Sequence, residues 1–567
     1  MFHSEIIGLN SVEQLREEGK IKEALQIVEE LEQGDGLSLK ELLLYKLVKA
    51  NLLREIGKLY DAIEIAKDIF HEFQKLGDLV SSLDALLLQA YSYIMTVNIT
   101  QSEDLITQAE DLFKLIKETL SIDLRERESF LVRIKAIICG FKGDIHTSLE
   151  LNKKAYELAK DTGNKALISR SLNNIAEHFY HLKDYDKAIK YAKKAFKVKD
   201  NRYLVAVLGT LIKINVSKGD IKEANFYLDH LREHLEKFDI KPYKRYYQSL
   251  KAFILKSSLR ARDRIKAEDI FKELAMDNTL LNQLRIEAII NLCDLYLTEL
   301  RITNDPKIIN EIHPYIQKLL DIAENQHLYL YLAETYLLQA KLSLLTLDIN
   351  KAKIFLTQAQ TIAESYGMKR LAMKISYEHD ELLRKTKMWE NLKISQASIS
   401  ERLKLAGLNE QLRHMLKKQI IEIPEFSEEE PVFLLLLSEG GSPLFSKSFI
   451  EDKVFESHLL GGFLATIDYF IREMFSEGLD RAIFGDYTLL MKSFPPFFIC
   501  YIFKGNSYYA LQKLNYFIDI LQTRVDIWQN LLNSFKLSKL IHLKDIPLLE
   551  SLITDVFITQ NMVINDL

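Results

Sequence analysis

Five times in this chain a small residue is followed twelve positions later by another: Ala50/Ala62, Ala90/Ser102, Ala136/Ser148, Ala176/Ala188 and Ala340/Ala352. That interval holds the end of one helix, a tight corner and the first turn of a second helix. Small side chains at both points let two antiparallel helices approach closely where they leave the corner. The clearest copy is Ser171–Phe196, with Ala176 in the first helix and Ala188 in the second. Repeated hairpins of this kind cannot bury their apolar faces singly and must stack on one another. Stacking makes an extended surface for holding other molecules, and the pattern itself does not name what is held.

The corners are equally regular. Second helices follow Gly19-Lys20, Gly57-Lys58, Gly143-Asp144, Lys183-Asp184 and Gly219-Asp220. Glycine at such a point adopts the left-handed conformation that ends the preceding helix. Small-residue markers fall at Ala24, Ala62, Ser102, Ser148, Ala188, Ala224, Ala267 and Ala352. A degenerate unit around Pro306–Glu324 fills the last gap. The period is ~40 residues, which gives about nine hairpins over residues 1–385. Helical periodicity over 386–423 reads as a cap for the array, since a solenoid has to cover its last apolar face. Two prolines and an acidic run mark 424–431 as a linker. The expected fold class is mainly α: an α-solenoid, followed at 432–567 by a small α/β domain.

The residues Ala176, Phe179, Ala188 and Ala195 stand where the tetratricopeptide repeat family has its small and aromatic positions, so the array resembles that family. The segment Leu172-Asn173-Asn174-Ile175-Ala176 looks like the version found in kinesin light chains. The resemblance implies a concave surface lined by the first helix of each hairpin. It also implies that the Asn before the small residue bonds the backbone of an extended peptide. Asn174 holds that position, and Asn291 looks like a second case. An amide both donates and accepts, so it suits a peptide unit whatever its side chain. Tyr180 and His181 are expected to flank Asn174 in the groove. The lysine pair of a carboxylate clamp is not in place, because those positions read Ile134 and Thr210.

After Pro431 the texture changes. The apolar run Val432–Leu437 and Leu444–Phe449 read as a strand hairpin, and Leu459–Phe475 as a helix. Strand-like runs follow at Arg481–Gly485, Tyr487–Lys492 and Phe497–Phe503. A helix over Tyr508–Thr523, with Ser507 as its N-cap, and further helices over Trp528–Phe557 complete the chain. This order resembles the longin domain, a relative of the roadblock fold, with a five-stranded antiparallel sheet. The resemblance implies a second protein partner: a small GTPase, another longin or roadblock domain, or a second copy of the chain. If the last strand alternates faces, Phe494, Phe497, Phe498, Tyr501 and Phe503 cannot all point to one side. Two readings stay open, a filled core and an aromatic docking face.

Motifs for chemistry are missing. There is no Gly-x-x-x-x-Gly-Lys-Ser/Thr loop, no His-Glu-x-x-His and no Gly-x-Ser-x-Gly. His178 and His181 share a helix face but lack a third ligand type nearby, so they read as groove residues and not as metal ligands. No enzyme activity, metal or cofactor is expected. The lysine-rich run Lys190–Arg202 reads as a solvated helix face and the tyrosines of Lys241–Lys251 as core residues. With a formal net charge of -5, no nucleic-acid partner is expected. Cys139, Cys293 and Cys500 form no C-x-x-C pair, and the start of the chain has no signal-peptide pattern. No apolar run approaches the ~20 residues of a membrane span. A cytoplasmic protein-binding adaptor is the expectation. The alternative is a regulator whose array senses a ligand or partner.

Overall fold

The computed structural model describes residues 9–18, 20–34, 36–96, 98–141, 144–236, 241–278, 280, 282–417, 429–438, 443–450, 481–537 and 539–559. Nine helical pairs run through the first part. They are α1 (Leu9–Glu17) with α2 (Ile21–Glu32), α3 (Leu39–Glu55) with α4 (Leu59–Lys75), and α5 (Leu79–Met95) with α6 (Ile99–Thr119). Then come α7 (Arg125–Phe141) with α8 (Ile145–Thr162), α9 (Lys165–His181) with α10 (Tyr185–Lys197), and α11 (Asn201–Lys218) with α12 (Ile221–Leu235). The last three are α13 (Lys241–Lys256) with α14 (Ala261–Met276), α15 (Asn282–Thr303) with α16 (Lys307–Asn325), and α17 (Tyr329–Leu345) with α18 (Ile349–Ser365). The degenerate unit is α16, which carries Pro314 in its interior.

The small residues do what their spacing requires. Ala50, Ala62, Ala90, Ser102, Ala136, Ser148, Ala176, Ala188 and Ala352 are 0% exposed and Ala340 is 1%. Across one corner the approach is close enough for the Ser148 hydroxyl to donate to the Ala136 carbonyl. The corners hold a second device that glycine alone does not reveal. Asp144, Asp184, Asp220 and Asp348 are N-caps whose carboxylates accept the backbone N–H of Thr147, Lys187, Glu223 and Lys351. Each cap satisfies an orphan donor and places negative charge at the positive end of a helix dipole. Gly57 and Gly219 take the expected positive φ of 86° and 88°. Lys183 takes 61° without being glycine.

The chain divides into two compact units, one of Met1–Leu332 with Gly407–Ile420 and the other of Ala333–Ala406 with Ile421–Leu567. In the first unit the odd-numbered helices α3 to α15 each pack on the next odd-numbered helix, forming the inner layer. The layer curls until α1 meets α11, and Tyr243 of α13 packs on the Leu9/Val12 cluster. Helix α22 (Leu408–Lys417) belongs to this unit and packs on α15.

The second unit contains α18, α19 (Lys369–Arg384), α20 (Thr386–Ile394), α21 (Ile399–Ala406) and a five-stranded antiparallel sheet. Its strands are β1 (Glu430–Ser438), β2 (Pro443–Ser448), β3 (Arg481–Phe484), β4 (Tyr487–Phe494) and β5 (Phe497–Lys504), in spatial order β2-β1-β5-β4-β3. The expected helix at 459–475 lies outside the described residues. Three helices follow the sheet: α23 (Ser507–Thr523), α24 (Val525–Lys536) and α25 (Pro547–Phe557). Alternation along β5 puts Phe497, Ile499, Tyr501 and Phe503 into the core under α23 to α25. Phe498, Cys500 and Ile502 face the other way, into a cluster that includes Ile354 of α18. Both sheet faces are therefore covered, which explains why β1 is apolar from Val432 to Leu437 and β5 from Phe497 to Phe503.

Ser507 is not the N-cap. Asn506 is, with no side-chain capping bond, and Ser507 is the first helical residue. The cap comes from Asp380 of α19. Its carboxylate accepts the Ser507 backbone N–H at 2.9 Å and the Ser507 hydroxyl at 2.6 Å. Arg481 of β3 donates to the same carboxylate at 3.3 Å and to Ser376 Oγ at 3.1 Å. A buried carboxylate thus meets a guanidinium, a hydroxyl and a helix N-terminus together.

Candidate ligand site on the inner face of the first unit

The curled inner layer lines an open cavity of about 630 Å³. Its walls come from α1, α3, α5, α7, α9 and the start of α11, including Glu13, Arg16, Arg54, Glu55, Asp84, Phe130, Arg170 and Tyr203. The volume lies within the range of small-molecule and short-peptide pockets.

Two arginines, Arg54 and Arg170, stand on one wall, and Arg133 lies behind them. Arg54, Arg133 and Arg170 are 7%, 1% and 6% exposed, although Arg is rarely buried unless paired. They surround Tyr91 of α5. The Arg133 guanidinium carbon lies 4.5 Å from the Tyr91 ring centre and 4.7 Å from that of Phe130. Arg170 stands 3.9 Å over Tyr203 and 5.3 Å from Tyr91, and Arg54 is also 5.3 Å from Tyr91. Cation–π attraction explains how the cations tolerate this place. Carboxylates contribute little. Glu55 is held by Arg16 at 2.6 Å and lies only 3.5 Å from Arg54. Among the described residues, Arg133 and Arg170 have no ion-pair partner, and Arg133 Nε and Nη2 and Arg170 Nε have no hydrogen-bond partner. Burial lowers the Arg133 and Arg170 pKa values. Burial pushes the Tyr91 phenol up, but the fields of Arg170, Arg133 and Arg54 outweigh it and hold the phenol at about 8.

Farther along the inner layer, charge is balanced. Lys213 of α11 pairs with Glu287 of α15 at 3.2 Å, and Lys256 of α13 with Asp294 of α15 at 2.6 Å. Burial lowers the Lys213 pKa, yet Glu287, Tyr246 and Glu177 together raise it above the usual lysine value. Tyr246 lies so close to Gly209 that a Cβ there would clash with its hydroxyl.

The four residues expected in the groove separate. Asn174 is half-buried on α9, and its amide donates to Asn152 Oδ1 at 3.2 Å. His181 is half-buried one face-repeat further along the same helix. Tyr180 does not flank Asn174. Six residues on, it lies about 120° round the helix, and it is buried against the next hairpin with its hydroxyl 3.1 Å from Ser217 Oγ. Asn291 is buried and engaged within the chain: its amide donates to the Glu287 carbonyl at 2.7 Å and its oxygen accepts from Lys256 at 2.8 Å. His178 is held by Ser148 Oγ at 2.5 Å and the Asn174 carbonyl at 2.7 Å. Among the described residues no group of three His, Cys, Asp or Glu could hold a metal. Burial pushes the Cys293 and Cys500 thiols up to about 12, as for inert core residues. No helix among the described residues is long and apolar enough to cross a membrane. Sequence reasoning missed the arginine cluster. Its signal was an arginine inside an apolar run, as in Phe130-Leu131-Val132-Arg133-Ile134.

These features define an α-helical solenoid of stacked hairpins. Residues 128–201, which span most of α7 to the start of α11, match the family model described as tetratricopeptide repeat. Three solved structures show the similarity. RapI in its apo form is 17% identical, with TM-score 0.38, covering 49% of this chain and 99% of that one. The apo quorum sensor NprR from B. thuringiensis is 12% identical, with TM-score 0.40, covering 62% and 97%. A Rap protein complexed with Competence and Sporulation Factor is 15% identical, with TM-score 0.39, covering 71% and 98%. Comparison with curated protein sequences returns no match.

Proposed function

We propose that this chain is a cytoplasmic protein-interaction scaffold whose first unit holds a peptide or helix on its inner face. The cavity carries this reading, because its wall presents buried polar groups that the chain does not itself saturate. Asn174 and His181 extend the same face along α9. In this reading the sheet domain is longin-like and binds a second protein, a small GTPase or another longin or roadblock domain, or pairs with a second copy. The strand order β2-β1-β5-β4-β3 supports that part. A regulator that senses its ligand is the second reading. It is favoured by the return of α1 onto α11, which bounds the cavity and suits a small occupant over a long one.

Affinity capture with mass spectrometry on the full chain tests the proposal. Wild type is compared with N174A and with R54Q/R170Q. Loss of the same captured proteins in both variants, with the thermal unfolding midpoint kept, is expected. Identical capture by all three chains would refute the inner face as the binding surface.

A further inference from the structure

The walls of the cavity differ in how their charges are matched. Glu13 is taken up by Arg16, and Glu55 is shared between Arg16 at 2.6 Å and Arg54 at 3.5 Å. Asp84 accepts both arms of Arg127, at 2.9 Å and 2.8 Å. Glu126 accepts the Asn164 amide at 3.0 Å. Of the other charged lining residues, Lys165 at the start of α9 and Lys199 before α11 are exposed, and Asp200 is buried. What is left over is positive: Arg170 on the cavity wall with Arg133 behind it, neither with an ion-pair partner among the described residues, beside Arg54, which shares Glu55 with Arg16 and keeps an unpartnered Nε; all three are nine-tenths or more buried.

Cations that close repel one another, and burial strips them of water. Aromatic faces return part of that cost but leave N–H donors unsatisfied. The missing complement is a group with several acceptor oxygens and a negative charge, which a guanidinium recognises in a planar, two-pronged way. We propose that an oxyanion, the carboxylate or phosphate group of the ligand, binds in the cavity against Arg54 and Arg170 with Arg133 behind them. The ligand must fit about 630 Å³, so it is a short peptide or a small acid, or one end of a larger partner. Tyr91 sits at the centre of the three cations and acts as a built-in reporter. An anion that neutralises them removes the field that favours its phenolate.

The inference rests on the inner face as the binding surface and gives the chemistry of its occupant. The test is a phenolate absorbance titration of the full chain, with Y91F subtracted to isolate Tyr91. The probes are inorganic phosphate, a pool of tetrapeptides with free C-terminal carboxylates, and the same pool C-amidated. The Tyr91 transition begins at about 8 and is expected to move toward its ordinary value of about 10. A shift with phosphate identifies a phosphate source. A shift with the free-acid pool but not the amidated one identifies a terminal carboxylate. In R170Q the shift is expected to vanish while the chain remains folded by circular dichroism. No shift with any probe, or an equal shift in R170Q, overturns the proposal. Those outcomes leave the capture experiment untouched, so failure of the oxyanion site and failure of the inner-face reading are told apart.

Discussion

Two arginines are among the most completely buried side chains of the protein, Arg133 in the first unit and Arg481 in the second. Arg481 meets the Asp380 carboxylate and the Ser376 hydroxyl, and Asp380 also closes the N-terminus of α23. Arg133 meets the faces of Tyr91 and Phe130 and repels Arg54 and Arg170. The Arg481 site is a lock, because the guanidinium and the Asp380 carboxylate complement each other within the chain. The Arg133 site is a socket, because Arg133 has no such complement among the described residues. Burial alone therefore says nothing about role, and the bookkeeping of partners decides it.

The contrast predicts opposite signs for the same kind of mutation. D380A strands the Arg481 guanidinium and opens the end of α23, so it is expected to destabilise the second unit by about 3–5 kcal/mol. Denaturant unfolding should show that unit melting early. R133M replaces an unmatched cation by an apolar side chain of similar length, and it is expected to stabilise the ligand-free protein by about 1–3 kcal/mol. If R133M destabilises as strongly as D380A, the arginine cluster is a structural lock as well and the comparison fails.

Proton linkage gives a third effect of similar size. Tyr91 is held at about 8, below the ordinary tyrosine value of about 10. Between those pH values the unfolded chain binds the extra proton, so stability rises with pH across that window. The gain is present in full above pH ~10 and is lost as pH falls through about 8. It amounts to roughly 3 kcal/mol by the size of the shift. Thermal unfolding of wild type against Y91F from neutral to alkaline pH measures it, and R133M should reduce it.

The parts of this architecture that sequence makes legible depend on neighbours along the chain. The pair Ala136/Ser148 declares its contact because twelve residues span a single corner. The apolar run along β5 shows for the same reason that both of its faces carry apolar side chains, but it leaves a filled core and a docking face both open until the helices and Ile354 are seen to cover them. Ser507 misleads because its cap, Asp380, lies 127 residues earlier, and no local pattern points to it. The 424–431 stretch reads as a boundary, yet Ile354 and Asp380 join Ala333–Ala406 to the sheet domain through contacts far apart in sequence. The arginine cluster is the extreme case. Arg54, Arg133 and Arg170 come from three hairpins, and each alone reads as an odd charge in an apolar helix. Only the curl of the inner layer brings them round Tyr91.

The smallest effect is the most local one. Lys213 and Glu287 sit on the same inner layer as the arginines but are matched, with side chains 31% and 21% exposed. E287Q removes the charge of the partner and keeps its shape. Solvent reaches this pair, so the loss is expected to be about 1 kcal/mol at neutral pH. The sign follows from Lys213. Its folded pKa is raised, so its stabilisation is present below the ordinary lysine value and fades as pH climbs through the raised one. The measurement that matters is done in the same variant on Tyr91. If the matched and unmatched regions are independent, E287Q leaves the Tyr91 transition and its response to oxyanions where they were. A shift of Tyr91 in E287Q would mean that the balanced wall is part of the socket, and the line between the two regions would have to be redrawn around both.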